Sequence, residues 1–391
     1  MKKLKIGLFG FGVVGEGIYN VLTSKQHLGI DVAKIVIKDE TKTRNAPTEL
    51  FSTQAYDILN DDSIDLVVEL IDDADAAFAI VQTALKRGKS VVSANKKMIA
   101  EHHEVLIQLS RENGVSFLYE AAVCGSVPII RNLEEYFDND LLNSVHGIVN
   151  GSTNFILCKM YEENQPYDEA LKVAQESGFA ESDPSLDVEG IDASFKLGII
   201  ALHAFGQLIK AEQILRKGIT SLHPFDFEYA KEKGQAIKLV ANGNTNEKGE
   251  LESLSVFPTF VKTSSPLGQT SNEYNGVIIG STLADEQFLY GKGAGRYPTS
   301  SAVLSDISAF KYGYKYEYKK GVHKTDLNIT KSGLFYVSFD KIYPFDSSVF
   351  SEIHQSYIGE ERAYCIGKIE HKNLIKHRLL DDLNLSLVSY N

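Results

Sequence analysis

The sequence predicts an α/β protein in which strands and helices alternate in the first third, an α+β region follows, and a small α+β tail closes the chain. Three observations predict this. A buried-looking strand, Lys5 to Phe9, runs straight into the glycine turn Gly10-Phe11-Gly12-Val13-Val14-Gly15 and then into a helix with Ile18, Val21 and Leu22 on one face. Short apolar strands continue to alternate with helices as far as about residue 130. Beyond that point helices come first and strands come after, the pattern of segregated α+β layers.

At 391 residues the chain is long enough for two or three domains. A net charge of -12 argues against nucleic acid or an anionic membrane as partner. No apolar run approaches the ~18 residues of a membrane span. Cys124, Cys158 and Cys365 are widely spaced and form no CxxC pair, which suits reduced thiols, a cytoplasmic setting and no zinc site.

The first domain takes residues 1–130. In its opening turn each glycine has a separate task. Gly10 permits the tight turn, Gly12 lets a pyrophosphate approach the backbone, and Gly15 lets helix and strand pack closely. Phe11, Val13 and Val14 lie in the same turn, and the helix that follows presents free N–H groups to an anion. The reading is a Rossmann-type dinucleotide-binding domain. A second strand, Val32 to Ile37, leads to Lys38 and Asp39, with Lys42 and Arg44 close behind. An acid there accepts the ribose hydroxyl of NAD, whereas cations receive the extra phosphate of NADP. The strand Asp65 to Leu70 precedes Asp72-Asp73, the helix Ala74 to Lys86 follows, and the strand Ser90 to Ser93 opens onto Ala94-Asn95-Lys96. The strand Val115 to Tyr119 runs into Glu120-Ala-Ala-Val123-Cys124-Gly125-Ser126-Val127.

Residues 131–290 form the second domain. A strand from Leu142 ends in Asn150-Gly151-Ser152-Thr153-Asn154, whose polar groups suit either a pocket wall or a helix N-cap. The helix from Tyr167 stops at Gly178, a good C′ residue. The loop behind it holds Glu181, Asp183-Pro184, Asp187, Glu189 and Gly190, and a helix then begins near Ile191. Asp192 and Lys196, four apart, share one face of that helix. Carboxylates beside one lysine suit a small zwitterion: acids for its ammonium, a cation for proton chemistry. A helix from Phe227 and strands near 237–241, 251–261 and 276–281 complete this region. His203 and His223 fit no ligand pattern and read as structural. Gly293-Ala294-Gly295 precedes a helix over 300–310 and reads as a second phosphate cradle.

The run from Ala174 to Lys196 resembles the signature of homoserine dehydrogenases position by position: Ala, Gly178-aromatic-small, Asp183-Pro184, Asp187, Gly190, Asp192 and Lys196. The resemblance covers residues 5 to about 310. It implies reversible NAD(P)H-dependent reduction of L-aspartate 4-semialdehyde to L-homoserine, in threonine and methionine biosynthesis. Lys196, Lys96 and Asp192 would then be catalytic. Glu181, Asp187, Gly178, Thr153 and Asn150 would hold the amino-acid substrate, with Ser152 standing where the family has threonine. The cofactor would rest on residues 10–15, Lys38, Ser93, Asn95, Lys96, Gly293, Ala294 and Gly295. Relatives that use NADP often have arginine where Lys38 stands, so NADP is favoured over NAD. Asp72-Asp73 replace glycines that the family has there, and their charge is unwelcome beside a pyrophosphate. A monovalent cation, Na or K, is implied on Glu120 and the carbonyls of Val123, Gly125 and Val127. The resemblance also implies that residues 291–311 return to complete the first domain, and that the second domain's sheet pairs two copies in a homodimer or dimer-based oligomer.

The match ends near Ala309. Lys311 to Lys324 reads as a linker, and 312–391 as a small C-terminal domain with strands at 334–339, 362–369 and 385–389 and helices at 349–357 and 373–383. That is one strand short of the βαββαβ amino-acid-sensing fold that some relatives carry, and the Pro-Gly step that usually starts its first helix is missing. Two other functions compete. An aspartate-semialdehyde dehydrogenase needs a thiolate with a base, and no cysteine has an evident partner. A non-catalytic dinucleotide-binding redox sensor needs no carboxylate and lysine cluster.

Overall fold

A computed structural model describes residues 3–139, 141–324 and 331–390. They divide into two compact units, 1–136 with 292–319 and 137–291 with 320–391.

Unit 1 begins with β1 (Leu4–Phe9), α1 (Val13–Ser24), β2 (Ile30–Val36), β3 (Phe51–Ser52), α2 (Tyr56–Leu59), β4 (Leu66–Glu69), α3 (Ala74–Lys86), β5 (Ser90–Ser93), α4 (Lys96–Glu112), β6 (Phe117–Leu118) and α5 (Ala121–Cys124). The sheet order is β3-β2-β1-β4-β5-β6 and every pairing is parallel. The order reverses beside β1, which pairs with both β2 and β4, and ligands of such sheets bind at that switch point outside the strands' carboxyl ends. Leu66, Val67 and Val68 are wholly buried, as a strand covered on both faces requires.

Unit 2 opens with β7 (Leu142–Ile148), α6 (Gly151–Glu163), α7 (Tyr167–Glu176), α8 (Ser185–Val188), α9 (Ile191–Phe205), β8 (Gln207–Leu208), β9 (Leu215–Arg216) and α10 (Pro224–Glu232). Next come β10 (Gln235–Thr245), β11 (Leu251–Lys262), α11 (Pro266–Gln269), β12 (Tyr274–Ser281) and β13 (Asp285–Lys292). The chain then re-enters unit 1 as α12 (Arg296–Lys311), which packs on α1: a Cβ on Gly17 would lie 2.6 Å from the Ser300 hydroxyl. His223 caps α10, its Nδ1 accepting the Phe225 N–H at 3.2 Å, a structural role as expected.

The last elements are β14 (His323–Lys324), β15 (Ser332–Asp340), β16 (Glu352–Ile358), β17 (Arg362–Glu370), α13 (His371–Lys376) and β18 (Leu385–Tyr390). Strands β15 to β18 extend the main sheet of unit 2, whose order is β13-β12-β7-β10-β11-β18-β15-β17-β16, with β9 also on β11, while β14 pairs with β8 in a separate two-stranded sheet. Phe257 of β11 shares one core with Phe335, Val337, Leu374 and Leu387.

Three local expectations change. The helix expected at 349–357 is a 3₁₀ turn (Ser347–Val349) followed by strand β16, so among the described residues the tail gives four strands, β15 to β18, to the main sheet. Glu352-Ile-His-Gln-Ser-Tyr-Ile is exposed throughout, and only its pairing with β17 makes it a strand. Strand β13, an edge strand, was not foreseen. The helix expected at 373–383 is the shorter α13. Finally, the stretch expected as a linker buries Tyr316 and Tyr318; Tyr119 Oη lies 2.9 Å from Tyr318 Oη, and Ser116 Oγ donates to the Tyr314 carbonyl at 2.9 Å.

Candidate active site

Unit 1 supplies a cradle at the carboxyl ends of β1, β4 and β5. Gly10 has φ +93°, where a side chain is strained, and a Cβ there would lie 2.7 Å from the Leu70 carbonyl oxygen. A Cβ on Gly15 would lie 2.4 Å from the Gly10 carbonyl oxygen. Around Gly12, by contrast, a Cβ would meet nothing within 4 Å. Gly12 also caps α1 without any side-chain hydrogen bond, so the first-turn N–H groups face that open space. Turn, open approach and close packing thus fall on the three glycines as the dinucleotide fingerprint requires. Val13 begins α1 and is 58% exposed, Val14 accepts from Ser300 Oγ at 3.2 Å, and Phe11 packs edge-on to Tyr19 and Phe51.

Lys38 is exposed at the end of the second strand. The carboxylate of Asp39 is spent on its own turn, accepting the Thr41 N–H at 2.8 Å and the Thr41 hydroxyl at 2.6 Å, and these bonds hold it below its ordinary range. Asp73 caps α3 through the Ala76 N–H at 3.0 Å, so that acid serves the helix. Ser93 ends β5, and Asn95 just beyond it caps α4 through the Met98 N–H at 2.9 Å, with Lys96 the first residue of that helix. Gly293, Ala294 and Gly295 follow β13, and Gly295, at φ +112°, precedes α12. Arg296 anchors that helix on Glu16 at 2.5 Å. A Cβ on Gly125 would lie 2.4 Å from the Gly293 carbonyl oxygen, which brings the 120–127 turn against this loop.

Glu120 is buried, and its oxygens accept the backbone N–H groups of Ile129, Ile130 and Arg131 at 2.7, 2.8 and 2.9 Å. Its own N–H donates to Asp306 Oδ2 at 2.8 Å. Burial raises both carboxyls, and the Glu120 charge raises Asp306 further.

Unit 2 supplies a second cluster where β7 turns into α6. The Lys196 ammonium is 2.7 Å from Asp192 Oδ2 and donates to the Val149 carbonyl at 2.7 Å. Asn150 accepts the Thr153 N–H and hydroxyl at 2.9 and 3.0 Å as cap of α6. Its amide N–H groups donate to Asp187 Oδ1 at 2.7 Å and Asp192 Oδ2 at 2.8 Å. Asn150, Thr153, Asp192 and Lys196 are all buried. An ion pair withdrawn from water in this way needs such hydrogen bonds to be tolerated. Two of the three ammonium donors of Lys196 are used, so one remains for a ligand oxygen. Gly190, at φ +77°, starts α9 and aims Asp192 at this cluster. Gly178, at φ +76°, ends α7 as expected. Glu181 is exposed and outside the hydrogen-bonded cluster; only its backbone carbonyl is engaged, by Gln175 at 3.0 Å.

The sequence reading missed Glu69. This buried carboxyl ends β4 and accepts from Ser93 Oγ at 2.6 Å. Its signal was present: an acid closing the otherwise apolar run Leu66-Val67-Val68.

Among the described residues there is no group of three or more His, Cys, Asp or Glu side chains placed to hold a metal ion, and no helix long and apolar enough to cross a membrane.

Residues 10–120 match the family model described as homoserine dehydrogenase, NAD binding domain, and residues 128–308 match the model described as homoserine dehydrogenase. The chain is 37% identical over 318 residues to a homoserine dehydrogenase of Bacillus subtilis, covering 79% of this chain and 73% of that one. A homoserine dehydrogenase of Synechocystis is 38% identical over 313 residues, covering 78% and 72%. Among solved structures, a homoserine dehydrogenase from Thiobacillus denitrificans superposes with a TM-score of 0.86 at 28% identity, covering 100% of this chain and 99% of that one. A hyperthermophilic archaeal homoserine dehydrogenase in complex with NADPH superposes with a TM-score of 0.68 at 25% identity, covering 80% and 99%.

Proposed function

The chain belongs to the homoserine dehydrogenase family, and we propose how its own residues carry out the NAD(P)-dependent interconversion of L-aspartate 4-semialdehyde and L-homoserine. The observation that carries the reading is the buried pair Asp192–Lys196 with Asn150 bridging Asp187 and Asp192. A dinucleotide sensor without turnover has no use for that cluster.

The cradle fits a dinucleotide because the space a Cβ on Gly12 would take is open and the N-terminus of α1 faces it. When bound, the nicotinamide supplies or takes up the hydride. The turn 10–15, the 93–96 loop and Gly293 to Gly295 hold the cofactor. Lys38 receives the 2′-phosphate of NADP, and the commitment of Asp39 to Thr41 supports that preference over NAD. Asp187, Asn150 and Thr153 orient the amino acid, and Glu181 meets its ammonium from the rim, with Gly178 shaping the loop. As the carbonyl is reduced, negative charge develops on its oxygen, and Lys196, held by Asp192 and the Val149 carbonyl, donates the proton, with Lys96 the second proton-transfer residue.

A monovalent cation in the 120–127 turn would rest on Glu120 and the carbonyls of Val123, Gly125 and Val127, with the Glu120 carboxylate held in place by three N–H groups. Residues 1–130, completed by about 291–311, carry the cofactor; 131–290 carry the substrate and the pairing surface of a homodimer; 312–391 are a small tail. Exposed Phe288 and Tyr290 on edge strand β13 support that pairing. The enzyme works in the cytoplasm, in keeping with three widely spaced cysteines that form no CxxC pair. The test is oxidation of NADPH with and without aspartate semialdehyde. Equal rates in the two would defeat the reading.

A further inference from the structure

Glu69 has no part in the roles assigned above, yet it is fully buried at the carboxyl end of β4, beside the cofactor cradle. A buried carboxyl is costly unless hydrogen bonds replace its water. Here the Ile71 N–H donates to Oε1 at 2.6 Å and the Ser93 hydroxyl donates to Oε2 at 2.6 Å. Ser93 Oγ in turn accepts the Asn95 N–H at 3.1 Å, and Asn95 Nδ2 donates to the Ile71 carbonyl at 3.0 Å. The four residues form a closed ring of hydrogen bonds that ties the loop after β4 to the loop after β5. Asn95 also caps α4, whose first residue is Lys96.

We infer that Glu69 is a positioning residue for the reaction: through Ser93 and Asn95 it fixes the loop that carries Lys96 and meets the nicotinamide end of the cofactor. The inference rests on the roles proposed above for Lys96 and the 93–96 loop. Simple cohesion between two strands would be met by an apolar side chain, as Val68 and Val92 meet it one step earlier. The carboxylate instead offers one oxygen to the Ile71 N–H and the other to the Ser93 hydroxyl. Burial pushes the Glu69 carboxyl up to about 7, and the charge of Asp72 on the next loop acts in the same direction. The bonds from Ser93 and Ile71 oppose that rise. Ionised, both oxygens accept. Once protonated, one acceptor becomes a donor and the ring loses a bond, so the loop is held best on the alkaline side of neutrality.

The test compares Glu69→Gln, Ser93→Ala and Lys96→Met with the parent enzyme. Glutamine keeps one acceptor and turns the other into a donor. Each of the first two variants should lower kcat about 10- to 10²-fold, the range of one lost hydrogen bond to a charged group. KM for aspartate semialdehyde should stay within about twofold, because the ring holds the cofactor side of the reaction. Without substrate, NADPH affinity read by nicotinamide fluorescence should change through neutral pH in the parent and not in Glu69→Gln. Parental kcat together with a parental pH dependence of NADPH binding in Glu69→Gln overturns the inference. If Lys96→Met keeps its kcat while Glu69→Gln loses the pH dependence of binding, the proton role of Lys96 falls and the anchoring of the cofactor loop stands. Should Glu69→Gln fail to fold, Ser93→Ala removes a single arm of the ring, and an unchanged kcat and affinity there count against the proposal.

Discussion

Lys196 shows how much one side chain depends on its immediate partners. Its ammonium is buried, and Asp192 and the Val149 carbonyl hold it in one place. A positioned acid is worth about 10² to 10⁴ in rate, so Lys196→Met should lower kcat by that factor with little change in KM. Steady-state kinetics with saturating NADPH checks it, and an unchanged kcat would move the proton role to Lys96. Glu69 makes a second prediction, about stability. Its carboxyl lies at about 7 in the folded chain against an ordinary 4.5. The folded state therefore binds this proton more tightly than the unfolded state does. That contribution is fully present below about 4.5 and is lost as pH rises towards 7. At 1.36 kcal/mol per unit it amounts to about 3 kcal/mol as an upper figure. Melts of the parent and Glu69→Gln between about pH 5 and pH 8 should show the difference shifting in favour of glutamine as pH rises. Parallel curves would remove Glu69 as the source.

At the scale of elements, the turn from β1 into α1 separates two kinds of glycine. At Gly15 an added methyl would stand 2.4 Å from the Gly10 carbonyl oxygen, so strand and helix must move apart. Gly15→Ala should destabilise the fold by about 1–3 kcal/mol, as overpacking typically does. At Gly12 the methyl meets no protein atom within 4 Å. Gly12→Ala should leave Tm nearly unchanged and weaken NADPH binding, because the methyl occupies the approach of the pyrophosphate. Thermal melts and NADPH titrations on both variants read the contrast, and equal losses of Tm would erase it. These roles were legible in sequence, since a strand, a glycine turn and a helix are set by neighbouring residues. The element β16 was not legible. Val349, Ile353 and Tyr357 recur at helical spacing, yet β16 is exposed throughout and its pairing with β17 makes it a strand.

For the whole molecule, the tail and the preceding strands of unit 2 share one sheet and one core. Phe335 of β15 is 1% exposed and meets Phe257 of β11 edge-on at 5.5 Å. Phe335→Ala should cost about 3–5 kcal/mol. Chemical denaturation measures the loss, and a change of less than about 1 kcal/mol would mean that the core collapses around the gap. By itself the sequence determined what depends on spacing along the chain: the glycine cradle, Gly178 ending α7, and Asp192 and Lys196 on one helical face. Only the tertiary structure decided which distant groups meet. Asn150 reaches Asp187 and Asp192 from another element, while Glu181, equally acidic and close in sequence, stays exposed. Glu69 ends a strand and becomes a buried anchor because the neighbouring strand brings Ser93 to it. Local periodicity reports the bonds a residue makes with its neighbours along the chain. It carries no record of which carboxylate loses its water when strands and helices from distant segments close over it.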